Sequence, residues 1–456
     1  MTGDTVMRNA AAHAALKRFC QESLEYLGKA VGGLGELPRH RGIASLEVTE
    51  TGYHATYDWE VDWGEVLGEH LGDTESIAAW SEALSELEAD DRLRGRAVTT
   101  EQPRLTARGV LYRLVSEQGG LEFQDAAFER VYRETEDYFY RDTVRYRYLA
   151  PLGRFRMEPA QVKLGPELSI VRISDGWSRE MLMESMGGSP VAAEVAQLVS
   201  KRYGLVLYSE LQKEKDVEGF YRRPREEEGA IKNVRDTFRE VCSALRVFKN
   251  GAVGYEQIIP RPTSWVPART MEIWGGGAQS VTGAPYVLSE QETAEFETFW
   301  DEHWVRRVGM EKNVALAVRR FNMAYGRGWP EERLLDLMIG FEALLLENEQ
   351  ELRYKLAMRG AALLGKDGDE RETIRGELGA AYKQRNHIVH GGRADEELKI
   401  GDEEGVSLTN LNSRVEERLR AAIRKIMDME PSVSKPALVD RLDRRIARGF
   451  GQEPRA

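Results

Sequence analysis

Gln384-Arg385-Asn386-His387-Ile388-Val389-His390-Gly391-Gly392 is the stretch on which the reading of this chain turns. It sets a fixed cation, an amide and an imidazole within six residues, and a glycine pair follows. On its N-terminal side, Ile374, Leu378, Ala381, Arg385 and Ile388 recur at steps of four, three, four and three, the spacing of one buried stripe on a helix. Arg385 therefore takes an inward-facing or interface-facing place on an otherwise apolar stripe. A guanidinium there is costly unless it meets a carboxylate, a phosphate or a partner chain. Asn386 and His390 stand four apart and share a face, where the amide can hydrogen-bond the ring and fix its tautomer. The glycine pair is a strong helix stop. It leaves His390 in the last turn, where the helix dipole favours a cationic ring.

These residues also have a plain structural reading, in which the arginine is half of an ion pair and the histidine is a C-terminal cap. His387 and His390, at helical i and i+3, have the spacing of two metal ligands. The other five histidines are all far upstream, however, and no cysteine lies nearby, so no metal and no cofactor is expected.

The helices around the motif follow from periodicity and capping. Five are expected, at about 311–325, 331–347, 350–365, 370–390 and 406–428, with Pro330 at a first helical position fixing the start of the second. That second helix is apolar nearly all round and should be central, so Glu342 in its middle needs a partner. Arg359 and Arg385 are the candidates, and a structural pair of Glu342 with Arg359 is the expectation. His387 counts with Glu342 and Arg359 as a supporting residue. The acidic stretch Ala394–Gly405 is expected to be a loop, and the basic tail from Ser432, with Arg441, Arg444, Arg445 and Arg448, a solvated surface helix.

Four blocks in this order carry a resemblance. They are Arg319-Arg320-Phe321-Asn322, the run from Pro330 to Leu344, Tyr354-Lys355-Leu356-Ala357-Met358-Arg359, and Tyr382 to Gly391. The segment from about Val314 to Met427, about a quarter of the chain, resembles the HEPN superfamily of nucleotide-binding helical bundles in its ApeA-like branch. The family hallmark is an arginine, a polar residue, three to five variable positions and a histidine; Arg385, Asn386 and His390 fit it without a gap. The resemblance implies a metal-independent endoribonuclease of a bacterial toxin or phage-defence system. Some members only bind RNA or scaffold a dimer. It also implies a two-fold homodimer that brings two motifs to one groove. Arg385 would then hold the scissile phosphate, His390 move a proton, and Asn386 orient His390 or contact a phosphate oxygen.

Composition fits an intracellular, cytoplasmic protein of two or three domains. The chain has 456 residues, 41% hydrophobic and 31% charged, with no apolar run long enough for a membrane and two widely separated cysteines, Cys20 and Cys242. Its net charge of −12 argues against a general nucleic-acid coat. From Glu311 onward there are 26 basic and 26 acidic residues, against 38 and 50 upstream, so the first 310 residues carry the whole deficit. That distribution suits a confined cleft that grips a few phosphates of an RNA substrate, beside an N-terminal part that senses something else, such as a phage product or a nucleotide trigger.

The organisation expected is an α+β N-terminal region followed by an all-α bundle: an α+β region over 1–150, a second over 151–305, the helical bundle over 306–430 and a basic tail over 431–456. Ala11, Ala14, Ala15, Phe19, Leu24 and Leu27 mark a first helix, and Glu47–Val61 alternates as strands do. The aromatic group Tyr138, Phe139, Tyr140, Tyr146 and Tyr148 is interleaved with acids, which favours packing over base stacking. A long amphipathic helix is expected over about Glu227–Phe248. Gly275-Gly276-Gly277 lacks the lysine and the strand–loop–helix setting of a phosphate loop and reads as a turn.

Overall fold

The computed structural model describes residues 7–32, 37–48, 53–70, 78–90, 107–178, 201–212, 225–264, 274–275, 284–305, 312–347, 350–395, 397–429 and 434–449. Gly276, Gly277 and most of an expected short helix at Ser178–Ser185 lie outside them. The fold is mixed, with helices and strands upstream and helices dominating the C-terminal part. The chain forms two compact units, one of residues 1–149, 173–234 and 258–275, the other of 150–172, 235–257 and 276–456.

In the first unit, helices at Ala10–Val31, Trp63–His70, Ala78–Glu88, Ala107–Gln118 and Asp125–Tyr140 surround one apolar core that includes Phe19, Trp80, Leu111, Phe128 and Phe139. The first helix starts at Asn9, whose Oδ1 accepts the Ala12 N–H at 2.9 Å. The alternating stretch is a hairpin that starts earlier than expected, at Arg39–Val48 paired with Tyr53–Val61. Tyr138, Phe139 and Tyr148 are buried, as packing requires. Tyr146–Leu149 pairs antiparallel with Ile259–Pro262.

In the second unit, short strands precede the helices: Gln161–Lys163 pairs with Leu168–Arg172, and Tyr286–Leu288 runs parallel to Phe155–Met157. The bundle helices are Lys312–Tyr325, Pro330–Leu345, Leu352–Leu364, Gly368–Val389 and Leu408–Met427, each near its expected position. Pro330–Leu345 packs on all the others and is central, with Leu334, Leu337, Met338, Phe341 and Leu344 buried. Gly360 lets the Gly368–Val389 helix come close, since a Cβ there would stand 2.3 Å from Leu378 Cδ1.

Two expectations are corrected. The acidic stretch is not all loop: Leu398–Ile400 and Glu403–Val406 form a small antiparallel hairpin, with Leu398, Ile400 and Val406 turned inward. The tail is a sixth helix, Lys435–Ala447, that buries Leu438, Val439 and Leu442 instead of lying free on the surface. Residues 235–257 also belong to this unit's framework. Arg420, 3% exposed, donates to the Arg246 carbonyl at 2.8 Å and to Glu416 at 2.6 Å, while Arg424 donates to the Phe248 carbonyl at 2.8 Å. Glu416 also receives Tyr325 Oη at 2.8 Å and pairs with Arg333, so a buried carboxylate and a buried guanidinium satisfy one another.

Candidate functional site

The Gly368–Val389 helix positions the motif. Asp367 caps its start, accepting the Glu370 N–H at 2.8 Å. At the other end the Gly392 N–H reaches the His387 carbonyl at 2.9 Å and the Gly391 N–H reaches that of Ile388 at 3.0 Å. With Gly391 at φ +86°, this is a Schellman stop, and His390 is the capping residue. The glycine pair thus ends the helix where the sequence requires.

Ile374, Leu378 and Ala381 are fully buried, and the stripe they start runs outward through half-buried Arg385 and Ile388. Arg385 meets the carboxylate that its position demands. Its NH2 lies 3.1 Å from Glu342 Oε1 and donates to Oε2 at 3.3 Å, while NH1 donates to Asn386 Oδ1 at 3.1 Å. The guanidinium also stands over the Tyr382 ring, 5.6 Å from its centroid. Burial pushes the Glu342 carboxyl above its ordinary pKa, and Arg385 opposes this without cancelling it. Burial also raises the Tyr382 hydroxyl, with the Glu342 charge adding to it.

This overturns the expected pairing of Glu342 with Arg359. Glu342 belongs to Arg385, and Arg359 is held elsewhere: its Nε and NH2 each lie 2.8 Å from an Asp443 oxygen, and its NH1 donates to the Leu345 carbonyl at 2.9 Å. The expected amide-to-ring contact is corrected too, because the Asn386 side-chain oxygen is taken by Arg385 and its backbone carbonyl accepts the His390 N–H at 3.1 Å. Among the described residues the His390 ring has no hydrogen-bond partner, and the residue is exposed.

His387 has a structural setting. Its Nδ1 is 3.9 Å from Asp395 Oδ1, too long for a hydrogen bond, and Gly392 lies so close that a Cβ there would stand 2.0 Å from the ring. Asp395 is fixed by the buried Gln384, whose Nε2 donates to Oδ2 at 2.6 Å and whose Oε1 accepts the Asp395 N–H at 3.1 Å. The chain after the glycine pair is therefore tied back onto the helix.

Arg385, Asn386 and Glu342 are thus joined by direct contacts near the end of one helix, whose last turn also carries His387 and the exposed His390. Arg359 is set apart from them by its pairing with Asp443. Tyr382 was missed, although its place one turn before Arg385 was visible in the sequence. Asp443 was missed because it is far away along the chain. Chemically, this end of the helix offers a guanidinium with N–H groups left over after its protein partners, and an exposed imidazole five residues on. Among the described residues no group of three or more His, Cys, Asp and Glu is placed to hold a metal ion, and no helix is long and apolar enough to cross a membrane. No family model matches the chain, and neither does any curated protein or solved structure.

Proposed function

We propose that this chain is a metal-independent endoribonuclease with Arg385, Asn386 and His390 as its catalytic residues, of the kind used in bacterial defence or toxin systems. One observation carries the reading: a guanidinium positioned by Glu342 and Asn386 stands five residues before an exposed imidazole that has no hydrogen-bond partner among the described residues. The resemblance of the surrounding bundle to HEPN ribonucleases supports it.

The reaction is an intramolecular transesterification. The ribose 2′-oxygen forms a bond to the adjacent phosphorus as its proton leaves to a base, and the bond to the 5′-oxygen breaks as that oxygen gains a proton. His390 is the proton-transfer group. Arg385 binds the scissile phosphate and offsets the charge that builds on its oxygens. One imidazole does not serve as base and acid together, and a two-fold dimer presenting two motifs to one RNA supplies both.

The Glu342–Arg385 pair favours one alternative, a bundle that binds RNA or a nucleotide without cutting it, because the carboxylate already neutralises the arginine. Incubation with single-stranded RNA in EDTA separates the two. The proposal expects cutting by the wild type and none by His390→Ala or Arg385→Ala at unchanged thermal stability. RNA binding without cleavage by all three proteins supports the alternative.

A further inference from the structure

The C-terminal helix fastens at two points onto the turn that carries Glu342. Near its start, Lys435 Nζ reaches within 3.5 Å of the Glu342 carbonyl. Two turns on, Asp443 grips Arg359 through two 2.8 Å contacts, and Arg359 NH1 donates at 2.9 Å to the carbonyl of Leu345, the last residue of the helix that holds Glu342. The Glu342 carbonyl already accepts the Leu346 N–H at 3.1 Å, so Lys435 adds a second donor there, whereas the Leu345 carbonyl, at the end of the helix, is satisfied by Arg359.

One ion pair of the attachment reaches the interior of the bundle. Leu438, Val439 and Leu442 are the helix's buried side chains, a small apolar contact. Arg359 is 2% exposed, whereas the Asp443 side chain is about half exposed. A guanidinium that deep is tolerated only while its charge is matched, and Asp443 supplies two contacts to it from the edge. Loss of Asp443 therefore affects both ends of the contact: the tail loses its anchor, and Arg359 loses what aims it at Leu345.

We propose that Asp443 is a positioning residue for the Glu342–Arg385 pair, acting through Arg359, and that the Lys435–Ala447 helix is a clamp on the site. The chain of contacts runs from Asp443 to Arg359, to the Leu345 carbonyl, to the last turn bearing Glu342, and from Glu342 to Arg385. With the tail docked, Glu342 holds Arg385 in one orientation. With it undocked, the last turn frays and Arg385 loses that constraint, so a partner that captures the tail helix would lower activity. The catalytic part of this inference rests on the ribonuclease reading; the mechanical part does not.

The test uses the full chain with Asp443→Ala, Asp443→Asn and Asp443→Glu, read by backbone hydrogen exchange and by RNA cleavage. Asp443→Asn keeps the shape if Asp443→Ala folds poorly. In Asp443→Ala and Asp443→Asn, exchange is expected to rise at least about tenfold over residues 435–447 and also over 342–346, with the rest of the bundle protected as in the wild type. The kcat for RNA is expected to fall about tenfold at little-changed KM, with partial recovery in Asp443→Glu. Faster exchange in the tail with unchanged exchange at 342–346 overturns the clamp, as does full kcat in a protein whose tail has come free. If the wild type does not cut RNA, the ribonuclease reading fails and the exchange result alone decides the clamp.

Discussion

Arg385 NH2 lies 3.1 Å from Glu342 Oε1, so the arginine on the apolar stripe of the motif helix is matched by a carboxylate from the central helix of the bundle. The pair is uneven. Burial still holds Glu342 above its ordinary pKa, so the carboxylate is less comfortable in the folded chain than in water. Its contribution to stability is full below the usual carboxylate pKa of about 4.3 and is lost as pH rises through the higher folded value.

Glu342→Gln should therefore separate stability from activity. At pH 7 its Tm is expected at or above the wild-type value, by about 1–3 °C, and at pH 4 the two should coincide. Its kcat for RNA should fall about tenfold, because Arg385 loses the charge that orients it. A clear loss of Tm at pH 7 contradicts this account of the pair.

The helix stop makes a second prediction. Gly391 sits at φ +86°, where any side chain is strained, so Gly391→Ala should cost about 1 kcal/mol in a chemical melt. Gly392→Ala should displace the His387 ring, which a Cβ would meet at 2.0 Å, and shift that imidazole's proton NMR signals. Unchanged stability in the first variant and unmoved His387 signals in the second would show that the glycine pair does not shape this end of the helix.

The polar core sets the limits of any truncation. Glu416→Ala removes one of the two carboxylates paired with Arg420, which is 3% exposed, together with the acceptor of Tyr325 Oη and the partner of Arg333, and should cost about 3 kcal/mol. A fragment of residues 305–456 removes the Arg246 and Phe248 carbonyls that Arg420 and Arg424 grip, and it should melt well below the full chain and less cooperatively. An equally stable fragment contradicts the role given to residues 235–257.

Assembly is tested by complementation. If two motifs serve one RNA, inactive His390→Ala and Arg385→Ala chains mixed together should recover only part of the activity, because each heterodimer brings one intact Arg385 and one intact His390 to the same groove and leaves one proton transfer unassisted. Sedimentation should report a dimer at micromolar concentration. A fully active monomer rules out the shared site.

The motif helix was legible because local rules fix it: apolar spacing set its buried face, and two glycines set its end. The same spacing required Arg385 to find a partner, and it has one. Which partner was not legible. Glu342 precedes both Arg359 and Arg385 in sequence, and only the packing of the helices decides which guanidinium it faces. Arg359 went to Asp443 because the tail helix docks, and the burial of Leu438, Val439 and Leu442 that docks it is a weak signal in so basic a segment. The hairpin at Leu398–Val406 was hidden for a related reason: its few apolar residues are diluted by acids that face outward.

The ends left on cut RNA test the central claim most directly. Mass spectrometry of the fragments made by wild-type protein in EDTA should show 2′,3′-cyclic phosphates paired with 5′-hydroxyls, and no fragments from His390→Ala. Fragments ending in 3′-hydroxyl and 5′-phosphate, or cyclic ends that persist in His390→Ala, would contradict the assignment of His390 and Arg385 to this chemistry.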